Sequence, residues 1–321
     1  MTTDDRDAVV SEAAAAIVGP AVHTRATVAE SAGVPLERAT RLWRAMGFAE
    51  PAEGAVLFTE QDVTALRTAA ALLDAGIVDE DGLVALARSM AQALSRLALS
   101  HADIATSYLR RAGADETLAE HAGELVPNVG SLLGYVWRRH LASAAEGAVL
   151  ALLGEGDSAA PVLVGFADLV GYTELTRELA IDDLAALVER FESNAALLVG
   201  EHGGRVVKTL GDEVMFTVDD VRAGVDLTLA LAGAADVLGR EVRVGAAYGP
   251  VLARLGDVFG PTVNVASRLT GLARPGTVLV DRAAAEALRD AGGYDVTPIG
   301  RRAVRGYAHL LPFRVRKVTR P

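Results

Sequence analysis

The 321 residues are 51% hydrophobic and 23% charged, carry a net charge of −11 and include no cysteine. A chain of this length predicts two domains, each with a real core. The missing cysteine excludes disulfides, thiolate metal sites and cysteine nucleophiles.

The first half reads as helical throughout, from about residue 8 to residue 153, rich in alanine and leucine with almost no β-branched runs. It opens on MTTDDRDAVV, acidic where a secretory signal is basic. No charge-free apolar run approaches the roughly 18–20 residues of a membrane span, so a soluble, cytoplasmic chain is expected. Residues 24–48 read as helix, glycine turn, helix, a pattern that resembles a MerR-like helix-turn-helix. Thr59 and Asp62 in FTEQDV are spaced as a capping box opening the next helix. DNA binding is not expected of this segment, because its arginines sit among Glu30, Glu37 and an acidic domain. A long helix over 126–153 follows. The small, polar, Gly-rich stretch GEGDSAA (154–160) before Pro161 marks the domain boundary, giving domains at 1–155 and 156–321. Basic and acidic residues number 12 and 21 before residue 156, against 19 and 21 from there on, so the acidity belongs to the helical half.

The second half alternates strands with helices. Strands are predicted at 162–170, 205–210, 213–218, 242–249, 277–280 and 312–318, with a hairpin turning at Gly211-Asp212. Helices are predicted at 182–201, 220–238, 262–273 and 282–291. The order β-α-β-β-α-β implies an α+β fold, a ferredoxin-like split βαβ sheet with helices on one face.

Within it, Asp168 ends the apolar run VLVGFA and Asp212 sits at the hairpin tip. Two converging carboxylates without His or Cys make an oxygen-only site suited to Mg²⁺ or Mn²⁺ shared with substrate phosphates. Turn chemistry alone also explains an Asp after Gly, but Asp168 would be an expensive burial without a task. Lys208 lies inside RVVKTL; all other basic residues except Lys317 are arginine. A strand lysine is often just solvated, whereas a site needing one compact ammonium also selects it over arginine. Asp257 is placed in a loop. Asn264 and Arg268 fall at i and i+4 on one helix face, as a surface pair also would.

Three segments, GFADLVGYTELT, GGRVVKTLGDEVMF and DVFGPTVNVASRL, together resemble the catalytic domain of class III nucleotidyl cyclases over roughly residues 160–318. The resemblance implies that Asp168 and Asp212 bind two Mg²⁺ or Mn²⁺ ions, that Lys208 and Asp257 read the purine, that Asn264 orients the ribose and that Arg268 stabilises the transition state. Arg305, in RAVRGYAHLLPF, falls where the family carries a cation for the terminal phosphates. A Lys donor with an Asp acceptor matches the N1 and 6-amino edge of adenine; guanine reverses both, so ATP is the expected substrate. Family members assemble each site from two catalytic domains, and this chain carries both residue sets, which implies a homodimer. A diguanylate cyclase and a DNA-binding regulator with a degenerate cyclase domain are the competing readings. The helical half is similar to the regulatory half of actinobacterial acid-regulated adenylyl cyclases, which implies regulation by pH and a fatty-acid or lipid site. His23, His101, His121 and His140 lie there, and histidine is the residue type suited to an acid switch.

Overall fold

The computed structural model describes residues 12, 14–112, 118–152, 160–254, 256–289 and 292–318. It divides into two compact units, Met1–Glu146 and Gly147–Pro321. The proposed linker 154–160 falls almost wholly outside the described residues. No helix among the described residues is long and apolar enough to cross a membrane.

In the first unit, α1 (Arg25–Ala32) starts at a Thr24–Thr27 capping box and stops at Gly33, whose φ of 70° is the left-handed conformation a helix end favours. The chain turns there into α2 (Leu36–Ala45), giving the expected helix-turn-helix. Helix α3 (Glu60–Asp74) opens on the predicted box, with Thr59 N donating to Asp62 at 2.7 Å. These helices bury Val28, Leu42, Trp43, Val63 and Leu66 with Leu83 of α4 (Glu80–Ala112), and Trp43 stacks on Phe58 with centroids 4.5 Å apart. The arginines of α2 are each matched by a carboxylate: Arg38 with Glu80 at 2.7 Å, Arg41 with Asp81 and Arg44 with Glu50, both at 2.6 Å. A helix whose cations are spent in this way has little to offer phosphate.

Helix α5 (Leu118–Leu152) begins eight residues before the expected start at 126 and contains Pro127. Asn128 Nδ2 donates to Glu124 O at 2.8 Å beside that proline, where the helical ladder loses a donor. Leu132, Tyr135, Trp137 and Leu141 of α5 are exposed.

The second unit runs β1 (Val162–Leu169), α6 (Tyr172–Glu178), α7 (Ile181–Glu201), β2 (Arg205–Thr209), β3 (Glu213–Val218), α8 (Val221–Gly233), α9 (Ala235–Leu238) and β4 (Val242–Gly249). It continues with β5 (Leu252–Arg254), β6 (Asp257–Phe259), α10 (Pro261–Leu272), β7 (Val278–Val280), α11 (Arg282–Arg289), β8 (Tyr294–Pro298), β9 (Arg302–Val304), β10 (Tyr307–Leu310) and β11 (Phe313–Lys317). Seven strands form one mixed sheet in the order β2-β3-β1-β4-β7-β11-β8. Its first four, all antiparallel, are the ferredoxin-like core, and β7 adds parallel to β4. Short strands β5, β6, β8, β9 and β10 were not expected, since three to five residues carry too little periodicity to read.

Helices cover both faces, which corrects the one-face expectation. Leu163, Ala167, Phe216 and Val244 pack with Phe191 of α7 and Leu227 of α8 on one side. Val164, Phe166, Met215 and Ala247 pack with Ala266 of α10 on the other. Helix α10 comes so close because Gly245 on β4 has no side chain: a Cβ there would collide with the Leu269–Thr270 backbone. G245A should therefore destabilise the protein by about 1–3 kcal/mol in urea denaturation, because the helix must shift to make room. A wild-type midpoint would show that α10 is not held by this approach.

Candidate active site

The alternation of β1 decides which way Asp168 faces. It shares the α10 side with Val164 and Phe166 and stands opposite Glu213 on β3 and Arg243 on β4. Three charged side chains thus form one row across three adjacent strands. Arg243 donates to Asp168 Oδ2 from both Nε (2.8 Å) and Nη2 (2.5 Å). Asp168 Oδ1 is buried and has no hydrogen-bond partner. Burial pushes the Asp168 carboxyl up; Arg243 lowers it in part and the nearby Asp212 charge raises it further.

Asp212 reaches this row because the β2–β3 turn folds back on itself. Gly211 takes φ 69°, Leu210 N bonds Glu213 O at 2.8 Å, and Leu169 N bonds Asp212 O at 2.9 Å. Sheet geometry thus brings Asp168 and Asp212 together as expected. Glu213 adds a third acid, and burial together with the charges of Asp168 and Asp212 pushes its carboxyl up to about 7.

Lys208 is on the same sheet face, one row back, opposite Met215, which is itself opposite Phe166. Strand and residue spacings put its Cα roughly 12 Å from that of Asp168. Its Nζ lies 2.6 Å from Asp257 Oδ2, both side chains about one-third exposed (34% and 28%). Asp257 is the first residue of β6 rather than part of a loop, and Arg205 donates to the preceding Gly256 O at 3.3 Å. Burial raises the Asp257 carboxyl, but the bonds from Lys208 and from Val258 N–H, with the charges of Lys208 and Arg205, hold it below its ordinary value.

On α10, Asn264 is exposed, while Arg268 is half-buried and its Nε is buried without a partner. Arg305 occupies the exposed two-residue turn between β9 and β10 and makes no hydrogen bond or ion pair among the described residues. A single chain therefore assembles the two acidic residues and the Lys–Asp pair, and among the described residues Asn264, Arg268 and Arg305 make no hydrogen bond or ion pair with either.

Arg243 and Glu213 were not anticipated. The signal for Arg243 was present: a cation inside the apolar run VRVGAA needs a partner for the same reason that Asp168 does.

The description "Adenylate and Guanylate cyclase catalytic domain" matches residues 156–317, and "Adenylate cyclase regulatory domain" matches residues 10–143. An adenylate cyclase of Glutamicibacter nicotianae is 39% identical over 330 residues, covering 96% of this chain and 82% of that protein. The chain belongs to the class III adenylate cyclases. One from Streptomyces coelicolor is 45% identical across 83% of this chain and 71% of its own. A protein of Mycobacterium tuberculosis named a pH-sensitive adenylate cyclase is 34% identical across 90% and 77% respectively.

The donor set of the cyclase fits the divalent metal that the family uses. Asp168 and Asp212 offer only oxygen, and Asp168 Oδ1 is a buried acceptor lacking any donor. Among the described residues no cluster of three or more His, Cys, Asp or Glu forms a protein-only cage.

Glu213 gives the site a measurable signature in metal-free protein. Its folded pKa lies above the ordinary 4.5 of a glutamate, so stability is greatest below that value and is lost as pH rises through about 7. E213Q removes the loss. Its melting temperature in EDTA should exceed that of wild type at pH 8, with the difference shrinking toward pH 5. A constant difference at all pH values would refute the raised carboxyl.

Proposed function

We propose that this cyclase converts ATP to 3′,5′-cyclic AMP and pyrophosphate at two equivalent sites shared across a homodimer, under control of its N-terminal half. The observation that carries the reading is the Lys208–Asp257 pair on the same sheet face as the Asp168–Asp212 acids.

Lys208 Nζ donates to adenine N1, and Asp257 Oδ2 accepts from the 6-amino group. Held together at 2.6 Å without nucleotide, they stand ready as one donor and one acceptor. Guanine would set acceptor against acceptor and donor against donor, leaving half-buried charged groups unpaired. Asn264 orients the ribose, and Arg268, with its unused Nε, meets the charge that builds on the phosphates in the transition state. Arg305, free in its turn, reaches the terminal phosphates. Asp168 and Asp212 would hold two divalent ions, Mg²⁺ or Mn²⁺, whose charge would make the ribose 3′-hydroxyl more acidic and offset that of the phosphates. The 3′-oxygen attacks the α-phosphorus, the bond to the bridging oxygen breaks, and pyrophosphate leaves.

The homodimer follows from the family's way of building each site from two catalytic domains, since this chain carries both residue sets. The exposed Leu132, Tyr135, Trp137 and Leu141 of α5 support a partner helix as well. Mixing equal amounts of D168A and R268A chains tests the sharing. With Mn²⁺ and ATP, each alone should be nearly inactive, while the mixture should regain about a quarter of wild-type cyclic AMP formation, one intact site in each mixed dimer. Demonstrated mixing without recovery would refute shared sites, and preferential turnover of GTP would refute the purine assignment.

Regulation is supported by the matched regulatory domain and by the pH-sensitive relative. The first unit also contains an apolar groove of 1190 Å³, lined by Leu42, Met46, Leu66, Leu86, Met90 and Leu94, that suits a fatty acyl chain. Activities of the full chain and of residues 156–321 are expected to diverge between about pH 5.5 and 8. A long-chain fatty acid should shift only the full chain. Parallel profiles would refute control by the first unit, and equal responses to the fatty acid would refute the groove as its site.

A further inference from the structure

Among the described residues, two side-chain donors are buried without a hydrogen-bond partner, the Nε atoms of Arg268 and Arg314. Neither arginine forms an ion pair among those residues. Register brings the two together. Phe313 and Val315 of β11 point into the core shared with Leu227 of α8, so Arg314 between them stands on the α10 face. It is directly opposite Leu279 of β7, against which Leu269 and Ala273 pack. Round α10, Thr270 faces β1, where its Oγ1 donates to Phe166 O at 3.4 Å, and Leu269 and Leu272 face β7. Arg268 lies one turn before Leu272, on the β7 side of the helix. Ile299, just before β9, and Leu310, the last residue of β10, pack into the same cluster. The β9–β10 turn carries Arg305.

Cations that share one valley repel unless an anion lies among them. Lys208 and Arg243, the half-buried cations further across this sheet face, are matched by Asp257 and Asp168. Arg314 has no such partner. On its face of β8 the acid is Asp295, which stands opposite Arg316 and accepts from Thr297 Oγ1 at 3.1 Å. Within the Arg314 guanidinium only Nε is buried and bare, so the terminal nitrogens of this half-buried side chain reach the surface, where a ligand meets them without an enclosed cavity.

We propose that Arg314 is a further substrate-binding residue of the cyclase, joining Arg268 on the polyphosphate of the nucleoside triphosphate. A guanidinium fork suits phosphate oxygens. The proposal rests on the reading of Arg268 as a phosphate-facing residue.

Equilibrium binding to the full chain, measured by calorimetry with Mn²⁺ present, tests it with three probes. Pyrophosphate is all phosphate, adenosine has none, and 3′-deoxy-ATP has both parts but cannot cyclise. R314M should weaken pyrophosphate and 3′-deoxy-ATP roughly 10-fold or more and leave adenosine at wild-type affinity. R314K, which keeps a cation without the fork, should fall between. Wild-type affinity of R314M for pyrophosphate would overturn the proposal. Equal weakening of pyrophosphate and adenosine would overturn it too, marking Arg314 as a support of the sheet. Wild-type pyrophosphate binding by R268A would instead overturn the phosphate reading of Arg268, and the place of Arg314 with it. Far-UV circular dichroism checks folding, and R314K carries the comparison should R314M fail to fold.

Discussion

The catalytic unit is organised around one expensive burial. Asp168 stands in the middle of the sheet on a strand that is otherwise apolar, where an unpaired carboxylate would cost several kcal/mol. The sheet order supplies its compensation. With β1 between β3 and β4, antiparallel register sets Arg243 on one side and Glu213 on the other. The compensation is incomplete. Arg243 satisfies one oxygen, and Glu213 and Asp212 add negative charge where it is least welcome. A core that needed only stability would replace this row with hydrophobic residues. Residual acidity in a half-buried place is what a dication would relieve, so the incomplete compensation of this row and an affinity for metal would be one quantity seen from two sides.

The same sheet face bears the other half of the chemistry, and Gly245 decides how close it comes. A helix normally packs on a sheet with side chains between them. Here the Leu269–Thr270 backbone sits directly over a glycine, with Thr270 buried and bonded to Ala266 O. Closeness of that kind leaves α10 little freedom to slide, so Arg268, next to the contact, and Asn264, about one and a half turns before it, inherit their positions from it. Positions of no chemistry of their own thereby limit where Asn264 and Arg268 can stand.

Sequence patterning made much of this legible. Asp168 and Lys208 stand out because each breaks an apolar, β-rich run, and the Thr59–Asp62 box because capping has a fixed spacing. The ferredoxin-like order was readable from element succession, since few topologies join split βαβ units. What stayed hidden depends on pairing between distant segments. Glu213 and Arg243 gain their meaning only from register with Asp168, across 45 and 75 residues of chain. Strand β6, which carries Asp257, is three residues long and exists because β5 pairs with it. Helix α5 passes Pro127, where a local rule ends helices, and nothing in the local sequence marks it as continuing.

The Lys208–Asp257 pair shows why specificity and assembly are linked. An exposed ion pair contributes little to stability, and this one is partly exposed, so keeping it apart from a ligand gains the fold almost nothing. Its value lies in being preformed: two side chains with ordering already complete present a donor and an acceptor at fixed spacing. The pair stands on β2 and β6, away from the β1 acids, and a nucleotide bound at one end of that face need not meet the acids of the same chain. A nucleotide that spans two copies satisfies purine, ribose and phosphate contacts together. On the proposed sharing of sites, substrate binding and association of the two chains draw on the same free energy, and each strengthens the other.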